Sequence, residues 1–176
     1  IASTDSGNNV NWFFGSTWAY WTGANSSSFT DAGNWIPAVV PGPATRVLVA
    51  VPTRAMQVSG PTSILELVVG GAQVATARVD AVFSVGENVT VLDSGVLSLN
   101  RPVNIGSNLS LGRFALLTHE INAATEVNKL DVTVGGGLFV DLEAAINVKG
   151  KGYGIGQYPP GCYGSHGGQG EPDDSG

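Results

Sequence analysis

The apolar positions between residues 45 and 148 fall in short strand-length groups rather than in long helical stripes. Asn88-Val89-Thr90-Val91 sends Val89 and Val91 to one side and Thr90 to the other, the period of a half-buried strand. Ile64-Leu65-Glu66-Leu67-Val68-Val69 is almost continuously apolar, as in a strand buried on both faces. The segment 116–130 is the one helical candidate, with Ile121, Ala124 and Val127 near helical spacing, but it is too short to stand alone. It reads as an excursion between repeating units.

The groups repeat. Val85-Gly86-Glu87-Asn88-Val89-Thr90-Val91 lies over Ile105-Gly106-Ser107-Asn108-Leu109-Ser110-Leu111, and again over Val134-Gly135-Gly136-Gly137-Leu138-Phe139-Val140. Six residues beyond each block an aliphatic returns, at Leu97, Leu117 and Ile146, and Val69-Gly70-Gly71-Ala72 reads as a looser earlier copy. A period of about 20 residues with one short strand per step is the signature of a β-solenoid, whose coils each leave an apolar side that only the next coil can bury. Gly86, Gly106 and Gly135 mark the coil corners, where a positive φ or a close backbone approach excludes a side chain. The alternative is a β-sandwich, whose strands also recur at short intervals, but the Asn-Gly and Asp-Gly hairpin signals are absent. The expected fold class is all-β, a parallel β-helix of about four or five coils.

The flanks differ from this middle. Residues 1–44 hold all four tryptophans, and Trp12, Phe13, Phe14, Trp18, Trp21 and Trp35 are candidates to cap an open end or to mediate assembly, because a bare solenoid end exposes unpaired strand groups. Exposed rings stacking on sugars are the functional alternative for the same residues. Residues 45–148 form the coils, and residues 149–176, rich in Gly and Tyr, read as a loop or tail with no core of their own.

The N-terminal segment also carries a resemblance. Trp21-Thr22-Gly23-Ala24, Phe29-Thr30-Asp31-Ala32-Gly33-Asn34-Trp35 and Val40-Pro41-Gly42-Pro43-Ala44-Thr45-Arg46-Val47 follow a W-x-G, N-W, P-G order, with Ile146-Asn147-Val148-Lys149-Gly150-Lys151-Gly152-Tyr153 and Gly164-Ser165-His166-Gly167-Gly168 later in the chain. This resembles large secreted bacterial and eukaryotic cell-surface, adhesin-like β-helical proteins. Thr45 stands where that pattern usually has Asp. The resemblance implies a right-handed β-helix at the cell surface and no assigned activity.

Composition narrows the function classes. Of 176 residues only 12% are charged, 25 are glycine, and the formal net charge is −6. This gives no basic footprint for nucleic acid, and no apolar run approaches the roughly 18–20 residues of a membrane span. Cys162 is alone, so it can form no disulfide within the chain and no cysteine zinc cluster. The chain opens at Ile1 without an initiator Met, which reads as a processed product or a fragment. Sequons at Asn25, Asn88 and Asn108 are candidate glycosylation sites in a secretory pathway.

A search for chemistry finds little. Asp141 and Glu143, two apart, share a face if the strand continues, the minimum for glycoside cleavage or Ca²⁺ binding, but they read better as solvated residues. His119 and His166 lack a partner at ligand spacing, and Cys162 with His166 lacks a third group. No catalytic residue, metal site or cofactor is expected, and the protein reads as non-enzymatic. The expected role is a structural subunit of an extracellular surface protein or fibre, secreted and joined head-to-tail to its own copies or to a longer parent chain. The alternative is a carbohydrate-binding or polysaccharide-degrading β-helix domain.

Overall fold

The computed structural model describes residues 17–153 apart from 51, 72 and 124. The chain is all-β, and its strands fall into three sheets that it visits in strict rotation. After β1 (Thr17–Trp21) and the two-residue β2 (Trp35–Ile36), the first circuit is β3 (Thr45–Val49), β4 (Met56–Val58) and β5 (Thr62–Ile64). The second is β6 (Glu66–Val69), β7 (Ala75–Val79) and β8 (Phe83–Val85), and the third β9 (Val89–Val91), β10 (Gly95–Leu99) and β11 (Val103–Ile105). The fourth is β12 (Leu109–Leu111), β13 (Leu116–Thr118) and β14 (Val132–Val134), and the last begins with β15 (Leu138–Val140) and β16 (Ala145–Ile146). Sheet A runs β15-β12-β9-β6-β3-β1-β2, sheet B β16-β13-β10-β7-β4, and sheet C β14-β11-β8-β5. Every pairing between circuits is parallel, and the antiparallel β2 on β1 is the exception. An antiparallel sandwich is therefore not what forms.

The register is the one the repeats predict. Val89, Leu109 and Leu138 are direct partners in sheet A, as are Val91, Leu111 and Val140. Val85, Ile105 and Val134 align in sheet C, and Leu97, Leu117 and Ile146 in sheet B. Alternation puts one apolar column inside per strand position, so Val47, Leu67, Val89 and Leu109 stack as one buried file in sheet A. A one-residue slip would turn that file outward and its polar neighbours inward, so the register is strongly specified.

Two expectations need correction. Val69-Gly70-Gly71 is not a copy of Val85-Gly86: Val69 ends a sheet A strand, while Val85 ends a sheet C strand whose partner in the circuit before is Ile64. The phrase was misleading because Gly70 adopts φ +101° at a different corner, against Gly95 and the Leu92 carbonyl. The corner glycines also divide. None of Gly86, Gly106 and Gly135 has a positive φ. A methyl group on Gly106 would overlap the Gly86 carbonyl, and one on Gly135 the Gly106 carbonyl, whereas one on Gly86 would make ordinary contacts with Leu65 Cδ1 at 3.6 Å and the Ile64 and Leu65 carbonyl oxygens at 3.8 Å. Close stacking therefore requires two of the three.

The segment 119–131 forms no helix in its described residues. It is an excursion between β13 and β14, tied down by the buried Asn122, whose Oδ1 accepts from the Val127 and Asn128 amides and whose Nδ2 donates to the Asn128 and Lys151 carbonyls. Among the described residues no helix is long and apolar enough to cross a membrane.

Candidate functional site

The two ends of the stack are built differently, and the difference begins with local sequence. At the N-terminal end, Asp31 opens a single 3-10 turn, Ala32–Asn34, by accepting the Gly33 amide at 3.0 Å, a normal cap for a helical turn. The turn delivers Asn34 and Trp35 into the interior. Asn34 is fully buried and fully satisfied: its Oδ1 accepts the Asn25 and Ser26 amides, and its Nδ2 donates to Ser26 Oγ and the Ser28 carbonyl, each at 2.9 Å. A buried amide is tolerated only on such terms.

Trp35 then meets Trp21 and Phe29 edge-on, with ring centroids 4.9 and 5.1 Å away. Both indole N–H groups donate at 2.8 Å, Trp21 to the Arg54 carbonyl and Trp35 to the Phe29 carbonyl. The result is a plug over the first circuit. The same segment covers edges: β2 closes sheet A, and residues 27–29 bond to both backbone groups of Gln57 on β4, the outermost strand of sheet B. Trp18, by contrast, lies on the outer face of β1 with Tyr20, both exposed. Trp12, Phe13 and Phe14 lie outside the described residues.

The C-terminal end has no such cover among the described residues. Leu109 is 1% exposed, and Leu138, the next member of its file, is 51% exposed. In sheet B the step from Leu117 to Ile146 is from 2% to 44%. Phe139, Val140, Leu142 and Val148 are exposed as well, so the outermost described circuit carries six exposed large apolar residues, with Phe139 on the outward face in register with Ser110 and Leu138 and Val140 on the inward one. An open depression beside β15, lined by Thr90, Ser110, Leu138, Phe139 and Asp141 among others, sits on this edge. Exposed apolar clusters of this kind mark interaction surfaces more often than scattered single residues do. The strand pattern carries one hint of this: Phe139 stands at the outward position that Thr90 and Ser110 hold in the earlier circuits, whereas Leu138 and Val140 read the same as their buried counterparts.

Polar ladders run along the outside between the ends. Asn88 Oδ1 accepts from both the backbone N–H and the Nδ2 of Asn108 at 3.2 Å, and Asn108 Oδ1 accepts the Gly137 amide at 2.9 Å. At another corner Asp80 accepts from Asn100, Gln57 and Arg78, while Asn100 Oδ1 accepts the Glu120 amide at 2.7 Å. Partial burial pushes the Asp80 carboxyl upward, but the hydrogen bonds from Asn100, Gln57 and Arg78 and the Arg78 charge outweigh it, and the group titrates below its ordinary value. Arg46 bridges circuits by pairing with Glu66 and with Glu87. The 20-residue spacing of Asn88 from Asn108, and of Asp80 from Asn100, was the available signal for these ladders.

The carboxylates singled out for chemistry do not act together. Asp141 Oδ1 accepts the amide of its neighbour Leu142, and Glu143, at φ +70°, turns to pair with Arg113 at 2.5 Å. Buried His119 places Nδ1 2.7 Å from the Glu120 carbonyl oxygen. Among the described residues no three His, Cys, Asp or Glu side chains gather as a metal site requires. Cys162 and His166 lie outside the described residues. Comparison with protein-family models, with curated proteins and with solved structures finds no match.

Proposed function

We propose that this chain is a right-handed parallel β-helix that acts as a structural module, without catalysis, of an extracellular surface protein or fibre. The rotation of the chain through three parallel sheets supports the solenoid, and the strong preference of parallel crossovers for one hand supports right-handedness. The secreted, surface location rests on the adhesin-like resemblance of the tryptophan-rich opening. One observation carries the functional reading: the six exposed apolar residues of the last circuit, set against a plugged opposite end.

The partner is a second copy of this chain, meeting the edge of β15 and β16. Head-to-tail stacking would need an open receiving edge at the other end, where β2 and residues 27–29 occupy the sheet A and sheet B edges and β5 alone ends sheet C. Like therefore meets like. Part of the rim charge is paired, Glu143 with Arg113 and Asp131 with Lys129, which leaves Asp141 as the carboxylate beside the apolar residues. In a longer parent chain a further coil would take the same place.

Sedimentation velocity across a concentration series tests this, with Phe139→Asp/Leu142→Asp as the variant. The expected result is reversible association of the parent protein, lost in the variant with an unchanged Tm. A parent protein that stays monomeric at high concentration, or a variant that associates equally well, would overturn it.

A carbohydrate-binding reading has one observation behind it, the exposed Trp18 and Tyr20 at i and i+2 on the outer face of β1. A glycan array with Trp18→Ala and Tyr20→Ala separates it from the structural role. The degrading form of that reading has no support from Asp141 and Glu143, which are engaged elsewhere.

A further inference from the structure

Three sequons are spread over the chain, and the structure treats them differently. Asn108 Nδ2, the atom that would carry a sugar, donates to Asn88 Oδ1 on the strand one circuit away, and Asn108 Oδ1 holds the Gly137 amide on the other side. Neighbouring strands lie about 4.8 Å apart, which leaves no room for a pyranose between them. Asn88 is half-buried, and both bonds from Asn108 fall on its Oδ1, which holds the side chain in line with the stacked circuits. Asn25 is the contrast. Its backbone N–H is anchored by the buried Asn34, yet the residue itself is exposed, and its amide group rests against the backbone of exposed Gly33 at the surface instead of between two circuits.

The geometry points to Asn25 as the N-glycan acceptor of this protein, with Asn88 and Asn108 excluded by the stacking of their own circuits. In the reaction an oligosaccharyltransferase joins Asn25 Nδ2 to C1 of a sugar carried on a polyprenyl pyrophosphate. The N–C1 bond forms, the C1–O bond to pyrophosphate breaks, polyprenyl pyrophosphate departs, and the amide gives up one proton. A glycan there would project from the plugged end, away from the apolar edge of β15 and β16, and would leave self-association open. The assignment rests on the secreted location proposed above, but its geometric content does not.

The test is to express the full chain behind a secretion signal in a glycosylating eukaryotic host. Sequon occupancy is read by mass spectrometry after enzymatic deglycosylation in heavy-oxygen water, with secreted, folded protein and retained protein analysed separately. The folded fraction should carry sugar at Asn25 alone, Asn25→Gln should remove the whole glycan mobility shift while the protein stays folded by circular dichroism, and any sugar on Asn88 or Asn108 should be confined to the retained fraction. Folded protein bearing sugar on Asn88 or Asn108, or an empty Asn25 in the folded fraction, overturns the assignment. Neither outcome touches the sedimentation result, so the structural role and the glycan site fail separately.

Discussion

Trp35 at one end of the stack and Leu138 at the other are both large apolar residues on sheet A strands, and they meet opposite fates. Trp35 is buried against Trp21 and Phe29 with its N–H satisfied, whereas Leu138, in register with buried Leu109, is half exposed. The repeat itself is indifferent to its ends, because each circuit buries only what its neighbour covers. What distinguishes the ends is a non-repeating device. A loop, a 3-10 turn and a short antiparallel strand close one end, and among the described residues nothing comparable stands at the other. An end covered in this way offers fewer unpaired strand groups to another chain than an uncovered one does.

The comparison is broken most severely at the plug. Trp35→Ala removes a buried aromatic from a three-ring cluster and should destabilise by about 3–5 kcal/mol, enough to threaten folding, measured by urea unfolding. Phe139→Ala at the open end should change stability by no more than about 0.5 kcal/mol in the same assay. Next comes Asn34→Leu, which leaves the Asn25 and Ser26 amides without their acceptor and should lower stability by about 3 kcal/mol. Gly106→Ala, forced against the Gly86 carbonyl in mid-stack, should destabilise by about 2 kcal/mol, while Gly86→Ala stays within about 0.5 kcal/mol. Equal effects for the two glycines would contradict the stacking geometry.

How far this was legible beforehand depended on whether a residue's environment repeats. Val85, Ile105 and Val134 could be aligned because the same neighbours surround each, and their observed pairing is that alignment. The first circuit escaped notice because Ile64-Leu65 lacks the glycine of the later copies, and Val69-Gly70 imitated it at the wrong corner. The aromatic cluster was visible as composition, but not that Trp21 and Trp35 turn in while Trp18 turns out, which strand alternation decides only once β1 is placed. Asn34 stood out only as part of the N-W pair, and its buried role was hidden because its four partners come together only when the loop closes. The exposure of Leu138 was equally hidden, because it depends on whether a neighbouring circuit covers it rather than on the strand's own pattern.

The smallest expected effect is one of acidity. Asp80 titrates below its ordinary value of 3.8 in the folded protein, so its ionised form favours folding at neutral pH. That contribution is complete above the unfolded value and is lost as pH falls through the lower folded one. Thermal melts should therefore show a Tm loss on acidification below about pH 4 that is reduced in Asp80→Asn. Because Asp80 lies at a mid-stack corner, this loss should be the same whether or not the open end is occupied.

The sharpest test of a stack closed at one end and open at the other is amide hydrogen exchange measured as a function of protein concentration. Amides of β15 and β16 should exchange fast in dilute solution and gain protection as concentration rises. Those of β1, β3 and the plug should be slow at every concentration. Protection of β15 and β16 in the dilute monomer, or concentration-dependent protection appearing at the Trp21 and Trp35 end, would contradict a one-ended stack.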